Sequence, residues 1–448
     1  VIPISTFARA EAYLLGTIDE STSRKTSYKL DRMRAFLHEL GDPHRAYPTI
    51  HVGGTSGKGS TCTMIASVLQ AAGKRTGLHT KPHLQSVTER ARIDGVAVTP
   101  ERFAALLDGM MPAIERIARR YGRPTYYETL LGLAFVHFAA ERVDAAVIEV
   151  GLGGRLDGTN LLQPEVTAIT SIGYDHTEIL GDTLESIARE KAGIARAGVP
   201  FVVAATAPAA LKTLAECAEE AGAPMVRVAG VVATEPASPP QAYAQRFAAI
   251  TSAARYTVDL PVYGLFQIAN AATAIAVLER LGPALRPGPR EVELGLSRVS
   301  IPGRMEVFPG APVHVLDIAH NAEKAEYLVA SLRDAFPRRT IRYVVAIGES
   351  KDATQIITAL AKAPSTFTFT SFDVPGRRAI DPEHLAMLAG SLGIHARAIA
   401  DLAAALAAAR HEAGANDLVV VTGSTFVVAA LRESLSGRSF ADAAESSA

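Results

Sequence analysis

Residues 51–62 read HVGGTSGKGSTC, placing glycines, hydroxyls and one lysine directly after a short apolar run. Glycines between a strand and a helix let backbone N–H groups turn inward, and the helix N-terminus adds positive potential, so such a loop can hold an anion. Lys58 would add a mobile positive charge. The common nucleotide loop puts four residues between its first glycine and Gly-Lys, with Ser or Thr immediately after. This sequence departs twice: position 52 is Val, and Gly59 intervenes before Ser60 and Thr61. The apolar run before the loop reads as a strand, and Met64, Ile65, Val68 and Leu69 after it fall on one helical face. Residues Gly54, Thr55, Ser56, Gly57, Lys58, Gly59, Ser60 and Thr61 therefore read as a variant phosphate loop.

Other reactive groups stand at the ends of apolar runs. Glu149 closes AAVIEV before the turn GLGGRLD, at the strand's C-terminal edge, the ligand side of open α/β sheets. His176, in GYDHTE, follows VTAITSIG in the same way, and its neighbours Asp175 and Glu178 read as outer or solvated residues. In GDTLESIAREKAGI, Asp182 and Glu185 mark a helix start, and Leu184, Ile187, Ala188 and Lys191 then fall on one face. A lysine on an apolar stripe has two readings: its stem packs while the ammonium snorkels to water, or burial favours a neutral amine able to react with carbon dioxide to give a carbamate.

These groups need a scaffold, and the whole chain suggests which. At 448 residues it suits two or three domains, with a cleft between them as the place for chemistry. A formal net charge of −1 leaves no global field for nucleic acid or acidic membranes, so phosphate binding must be local. Cys62 and Cys217 have neither metal-ligand nor redox spacing and read as small core residues of a reduced, intracellular protein. No apolar run approaches membrane-spanning length, and the first residues lack a basic stretch followed by a long apolar one, so a soluble cytoplasmic protein is expected. Short β-rich runs (TIHVGG, RTGLHT, AAVIEVG, VTAITSIG, VPFVVAA) alternate with helical patterns, which predicts βαβ units and a mainly parallel sheet. VATEPASPPQAYAQR, residues 232–246, reads as a loop, and the tail ADAAESSA as frayed. After Pro302 and Gly303 the rhythm restarts with VHVLD, IRYVVAIG, FTFTSF and LVVVTG, which predicts an α/β fold of two domains, 1–299 and 300–448.

The loop Gly-Thr-x-Gly-Lys-Gly-Ser resembles that of the Mur ligase superfamily, specifically the folylpolyglutamate synthase/dihydrofolate synthase family. HTKPHL, ERARIDG, EVGLGGRLDGTN, ITSIGYDHTEILGDTLESIAREKAGI, IPGRMEV, LDIAHN and VTGS follow in family order and span about residues 28–430. The resemblance implies a Mur-ligase-like P-loop ATPase domain followed by a smaller Rossmann-like domain for amino acid and nucleotide. It also implies a monomer that joins L-glutamate to a pterin-containing acceptor, folate or dihydropteroate. Amide formation at neutral pH needs a better leaving group than hydroxide. ATP supplies one by phosphorylating the acceptor carboxylate, and converging negative charges then require cations already in place.

By the same resemblance Lys58 and the loop backbone hold the phosphates, and Ser60 is a supporting hydroxyl. Glu149, His176 and a carbamoylated Lys191 organise two Mg²⁺ ions. Gln267 and Asn270, in LFQIAN, contact the nucleotide, as do Arg304 in IPGR and Asp317 in LDIAHN; His320, Ser424, Lys81 and Arg90 face substrate. Asp157, Thr159 and Asn160 match a family segment whose role is equally well explained by capping a turn. Several positions depart from the family: Lys81 stands where a serine hydroxyl helps to hold Mg²⁺, and an ammonium cannot ligate a cation. Lys81 would neutralise phosphate, point to solvent or mark altered substrate handling. Ser56, Phe266, Ile301, Ile318 and Ala322 also replace the usual residues. Two rival functions follow, a related ligase with another acceptor or amino acid, and a nucleotide-binding regulator without turnover.

Overall fold

Thr49–Gly53 forms β1, buried along its whole length because it lies inside a sheet covered on both faces. The structure, a computed structural model, describes residues 4–18, 30–237, 244–374 and 377–436. With β2 (Thr76–His79), β3 (Arg92–Ile93), β4 (Val96–Ala97), β5 (Ala145–Glu149), β6 (Val166–Ile169), β7 (Phe201–Val203) and β8 (Met225–Arg227), it builds an 8-stranded sheet. The order is β4-β3-β2-β5-β1-β6-β7-β8, with β2, β5, β1, β6, β7 and β8 parallel and β3 and β4 as an antiparallel edge. Asp94 and Gly95 both have positive φ in the tight turn joining β3 to β4, the geometry that suits two-residue hairpins.

One face of this sheet is covered by the helix Lys58–Ala71, whose Met64, Ile65, Val68 and Leu69 pack with Ile50, Val52 and Val147. Helices Leu265–Leu278 and Pro289–Ser297 lie outside it and join the same core. On the other face Phe36, Met110, Leu131, Phe135 and Phe138 pack against Ala146 and Ile148. Cys62 and Cys217 are buried free thiols in two of the cores, as their sequence context suggests.

Residues 232–246 are not simply a loop. Ala233–Pro236 is β9, which pairs antiparallel with β10 (Gln245–Ile250), itself paired with β11 (Arg255–Leu260). All four residues of β9 are exposed on the sheet's edge, so no apolar alternation betrays it, and an edge strand tolerates Pro236. Residues 238–243 of that segment and the tail 441–448 lie outside the described residues.

The second unit is a 6-stranded sheet of β12 (Glu306–Phe308), β13 (Val313–Leu316), β14 (Ile341–Val345), β15 (Ser365–Phe369), β18 (Ala396–Ala398) and β19 (Leu418–Thr422), in the order β12-β13-β19-β14-β15-β18. Only β12 runs antiparallel to its neighbour. A two-stranded ribbon, β16 (Asp373–Val374) and β17 (Arg377–Arg378), lies apart. Among the described residues no helix is long and apolar enough to cross a membrane.

Register decides where chemistry can gather. Val52 pairs with Glu149, Gly53 with Ile169 and His79 with Ile148, so the segments that begin at 54, 80, 150 and 170 leave the sheet at one edge. In the second sheet Leu316 and Val344 both pair with Val421, and the turns after β13, β14 and β19 share an edge likewise.

Gly295 is where the outer helix touches the phosphate-loop helix. A Cβ there would lie 2.3 Å from Val68 Cα, and Ser67 Oγ donates to Gly295 O at 2.7 Å. Gly295→Ala is expected to force the two helices apart at a cost of about 1–3 kcal/mol, as overpacked cores do. The measurement is urea unfolding, with a lower midpoint and an unchanged slope.

Candidate active site

The loop after β1 owes its shape to β6's continuation. Thr55 N–H donates to Ser171 O at 2.8 Å, Ser56 N–H to Ser171 Oγ at 2.9 Å, and Thr170 Oγ1 and Ser171 Oγ donate back to Ser56 O at 2.6 and 3.0 Å. Thr55 Oγ1 completes the clamp by donating to Gly173 O and accepting from Gly173 N–H. Two glycines are required. Gly54 has φ +134°, and a Cβ would sit 2.1 Å from Thr170 Oγ1; Gly57 has φ +85°, and a Cβ would sit 2.3 Å from Asn270 Oδ1. Gly57 caps the helix that starts at Lys58, whose first N–H groups have no intrahelical acceptor.

Asn270 and Gln267 reach this loop because their helix packs on the phosphate-loop helix. Both are buried, and Asn270 Nδ2 donates to Gln267 Oε1 at 2.9 Å. Gln267 Nε2, Ser56 Oγ and Thr61 Oγ1 are buried polar atoms without a partner in the described structure, which suits a site built for a polar guest.

Two ammonium groups converge on one carbonyl. Lys58 Nζ donates to Gly54 O at 3.0 Å and to Thr55 O at 3.1 Å, and Lys191 Nζ donates to the same Gly54 O at 3.0 Å. Lys191 is 4% exposed, so its amine does not snorkel to water. Burial, reinforced by the charge of Lys58, pulls its pKa down to about 7 against the pull of Asp175. Its helix is capped by Thr183, with Ser186 reciprocating, rather than by Asp182 as the sequence suggests, because the Thr183 hydroxyl reaches the Ser186 N–H.

Glu149 is buried beside the N-terminus of the helix Lys58–Ala71. A Cβ on Gly59 would lie 3.3 Å from its Oε2, and that oxygen accepts the Lys81 N–H at 2.9 Å. Ser60 is buried at the first turn. Half-buried His176 occupies left-handed backbone at φ 54°, with Asp175 Oδ1 at 3.9 Å and Glu178 Oε1 at 3.8 Å. Burial lowers its pKa, with Asp175 opposing. Among the described residues no three His, Cys, Asp or Glu side chains gather as a metal site. The expected set contains two of these, Glu149 and His176, together with Ser60 and Lys191.

The second unit approaches through the helix Ala322–Ala335. A Cβ on Gly173 would lie 3.3 Å from Glu323 Oε1. Burial alone would raise the pKa of Asp175, but Lys324, His176, Lys58 and His320 outweigh it and hold the carboxyl below its usual range. Lys324, not singled out in the sequence, thus sets Asp175 between the two units. Burial, then Asp175 in opposition and Arg304 in support, bring Lys324 itself to about 8. The only available sequence signal was its i+4 spacing from His320. His320 Nδ1 pairs with Ile318 O at 2.8 Å and its Nε2 with Lys324 Nζ at 3.2 Å; burial followed by Lys324 lowers its pKa to about 4. Asp317 accepts N–H groups from Met305 and Ala319, so its carboxylate shapes the turn that presents His320, with Arg304 acting on it electrostatically. Ser424 starts the last helix beside the same turn, where Gly423 N–H donates to Ala319 O.

Arg90 stands on the other flank, with its Nε donating to His83 Nδ1 at 3.1 Å and its guanidinium 5.4 Å above the Tyr126 ring. Asp157 accepts from Tyr127 Oη, Leu152 N, Thr159 N and Thr159 Oγ1. Asn160 Nδ2 donates to Arg155 O and Gly193 O. The hydrogen bonds of Asp157, Thr159 and Asn160 are those of the turn-capping reading.

A phosphate loop after the central strand of a parallel sheet, faced by a second α/β unit, defines a Mur-type ligase, and two family models match. The Mur ligase middle domain covers residues 52–278 and the Mur ligase glutamate ligase domain residues 303–425. The chain is 33% identical over 417 residues to the dihydrofolate synthase/folylpolyglutamate synthase of Bacillus subtilis, covering 91% of this chain and 94% of that one. Folylpolyglutamate synthase of Mycobacterium tuberculosis complexed with ADP superposes with a TM-score of 0.87 at 31% identity, over 97% of this chain and 99% of that one. The bifunctional folylpolyglutamate synthase/dihydrofolate synthase of Yersinia pestis complexed with AMPPNP and Mn ion gives 0.82 at 30%, over 97% and 100%. The chain belongs to the folylpolyglutamate synthase/dihydrofolate synthase family of Mur ligases.

The contact of Gly57 with Asn270 yields a paired test. Gly57→Ala adds left-handed strain of about 1–2 kcal/mol and a clash with the amide oxygen. It is expected to weaken ADP binding by about tenfold or more. Adding Asn270→Ala removes the clash but not the strain, so the double variant should unfold at a higher temperature than Gly57→Ala alone, read by calorimetry.

Proposed function

We propose that the protein is an ATP-dependent ligase that joins L-glutamate to a folate or dihydropteroate acceptor through an acyl phosphate. One observation carries this reading: Lys58 and Lys191 converge on Gly54 O in a clamped phosphate loop that opens beside the buried carboxylate of Glu149. The complexes of relatives with ADP and with AMPPNP and Mn support a nucleotide and a divalent ion at such a site. We read the chain as a nucleotide-binding lobe, 1–299, and a smaller lobe, 300–448. That division is supported by the 8-stranded sheet ending at Arg227, the 6-stranded one beginning at Glu306, and the two matched intervals.

The acceptor carboxylate attacks the γ-phosphoryl group of ATP and ADP leaves. The amino group of glutamate then attacks the acyl carbon, loses a proton and expels phosphate. Lys58 and the N–H groups of the loop hold the phosphates and stabilise charge that grows on their oxygens. Glu149, Ser60 and His176 would hold Mg²⁺, which supplies further neutralisation when bound. Lys191 joins them as a carbamate: its neutral amine attacks carbon dioxide, releases a proton and becomes an anionic oxygen donor. Burial and the neighbouring ammonium of Lys58 keep that amine reactive. His320 and Ser424 line the approach for glutamate, Arg304 stands on the nucleotide side with Asp317, and Arg90 lines the approach for the acceptor.

The direct test is ligation with ATP, glutamate and dihydropteroate or folate, read by product mass. Glutamate-sized additions are expected, and ADP release only with a different acceptor would overturn the assignment. Lys58→Ala is expected to lower kcat by about a hundredfold or more. The neutral fraction of Lys191 grows as pH rises through about 7, so carbamate formation should increase across that range in the presence of bicarbonate. With ¹³C-bicarbonate a carbamate resonance should appear in the wild type and be missing from Lys191→Met.

A further inference from the structure

Lys81, for which the sequence leaves three roles open, has no part in the reaction steps given to Lys58, Glu149, His176 and Lys191. Its N–H is fixed on Glu149 Oε2 at 2.9 Å, so its Cα stands at the rim of the phosphate loop. Its side chain is half-buried and does not point freely to solvent. Among the described residues its ammonium has no hydrogen-bond or ion-pair partner of its own. Burial, then Lys58, lower its pKa, with Glu149 and Asp157 opposing and Arg90 adding to the lowering, so an anion beside it would favour its charged form; its own charge is felt by His176 and Lys191. Asp157 is already satisfied by four donors, and one oxygen of Glu149 by the Lys81 amide. What this ammonium lacks is an anion, and the phosphate loop faces the same space.

A divalent cation placed there would meet Lys58 and Lys81 at close quarters, where like charges in a partly desolvated site repel strongly. We propose that Lys81 is a built-in cation that contacts the transferring phosphoryl group, so that this ligase works with one divalent ion rather than two. The inference rests on the ligase reading above and concerns how the phosphates are neutralised, not whether they bind.

Mn²⁺ bound in the presence of AMPPNP can be counted by electron paramagnetic resonance, and AMPPNP affinity in EDTA measured by calorimetry. One tight Mn²⁺ per chain is expected for the wild type and two for Lys81→Ser. Without metal, Lys81→Met should bind AMPPNP about tenfold or more weakly than the wild type, the loss of one charge-assisted hydrogen bond, while Lys81→Arg should stay close to it. Two ions on the wild type, or metal-free affinity unchanged in Lys81→Met, would overturn the role of Lys81 alone. Failure of the wild type to bind AMPPNP with Mn²⁺ would remove the ligase reading together with it.

Discussion

The carbonyl of Gly54 is the point on which this site turns. A peptide oxygen that receives Nζ of both Lys58 and Lys191 gathers positive charge where the loop meets the sheet. It can do so only because the loop is fixed from the other side by Thr170 and Ser171. Like charges at such proximity cost free energy unless an anion or deprotonation relieves them, and the protein uses both remedies. Lys191 titrates near neutrality, and Glu149 and Asp175 lie nearby.

That concentration of charge reconciles a nearly neutral chain with polyphosphate chemistry. Attraction is local, produced by sheet register that brings the segments after β1, β2, β5 and β6 to one rim. The second unit brings its own rim of turns, and its lysine at 324 acts electrostatically on the carboxylate at 175 across the gap. Neither unit alone assembles this set of charges.

Much of this was legible in the sequence for definite reasons. Strands buried on both faces read as unbroken apolar runs, so β1, β5 and β6 declared themselves, and Gly-Lys-Gly after β1 marked the loop. Lys191 was legible as a lysine on an apolar stripe, though the stripe could not say whether its amine reached water. β9 was invisible because an exposed edge strand carries no apolar signal. The clamp from Thr170 and Ser171 was hidden for another reason: hydroxyls at a strand end look like ordinary turn chemistry until the partner loop, over a hundred residues away, is placed against them. Lys324 was missed because its meaning depends on an electrostatic effect between units, which no local pattern encodes.

The crowding between Gly57 and Asn270 has a mechanical side. With no room for even a methyl group between them, the loop cannot slide toward the helix Leu265–Leu278 without moving it. That helix carries Phe266, whose ring meets Tyr327 of the second unit edge-on at 6.2 Å. Through that one helix the floor of the cradle and a side chain of the opposite unit are held in a single packed series, Gly57 to Asn270 and Phe266 to Tyr327.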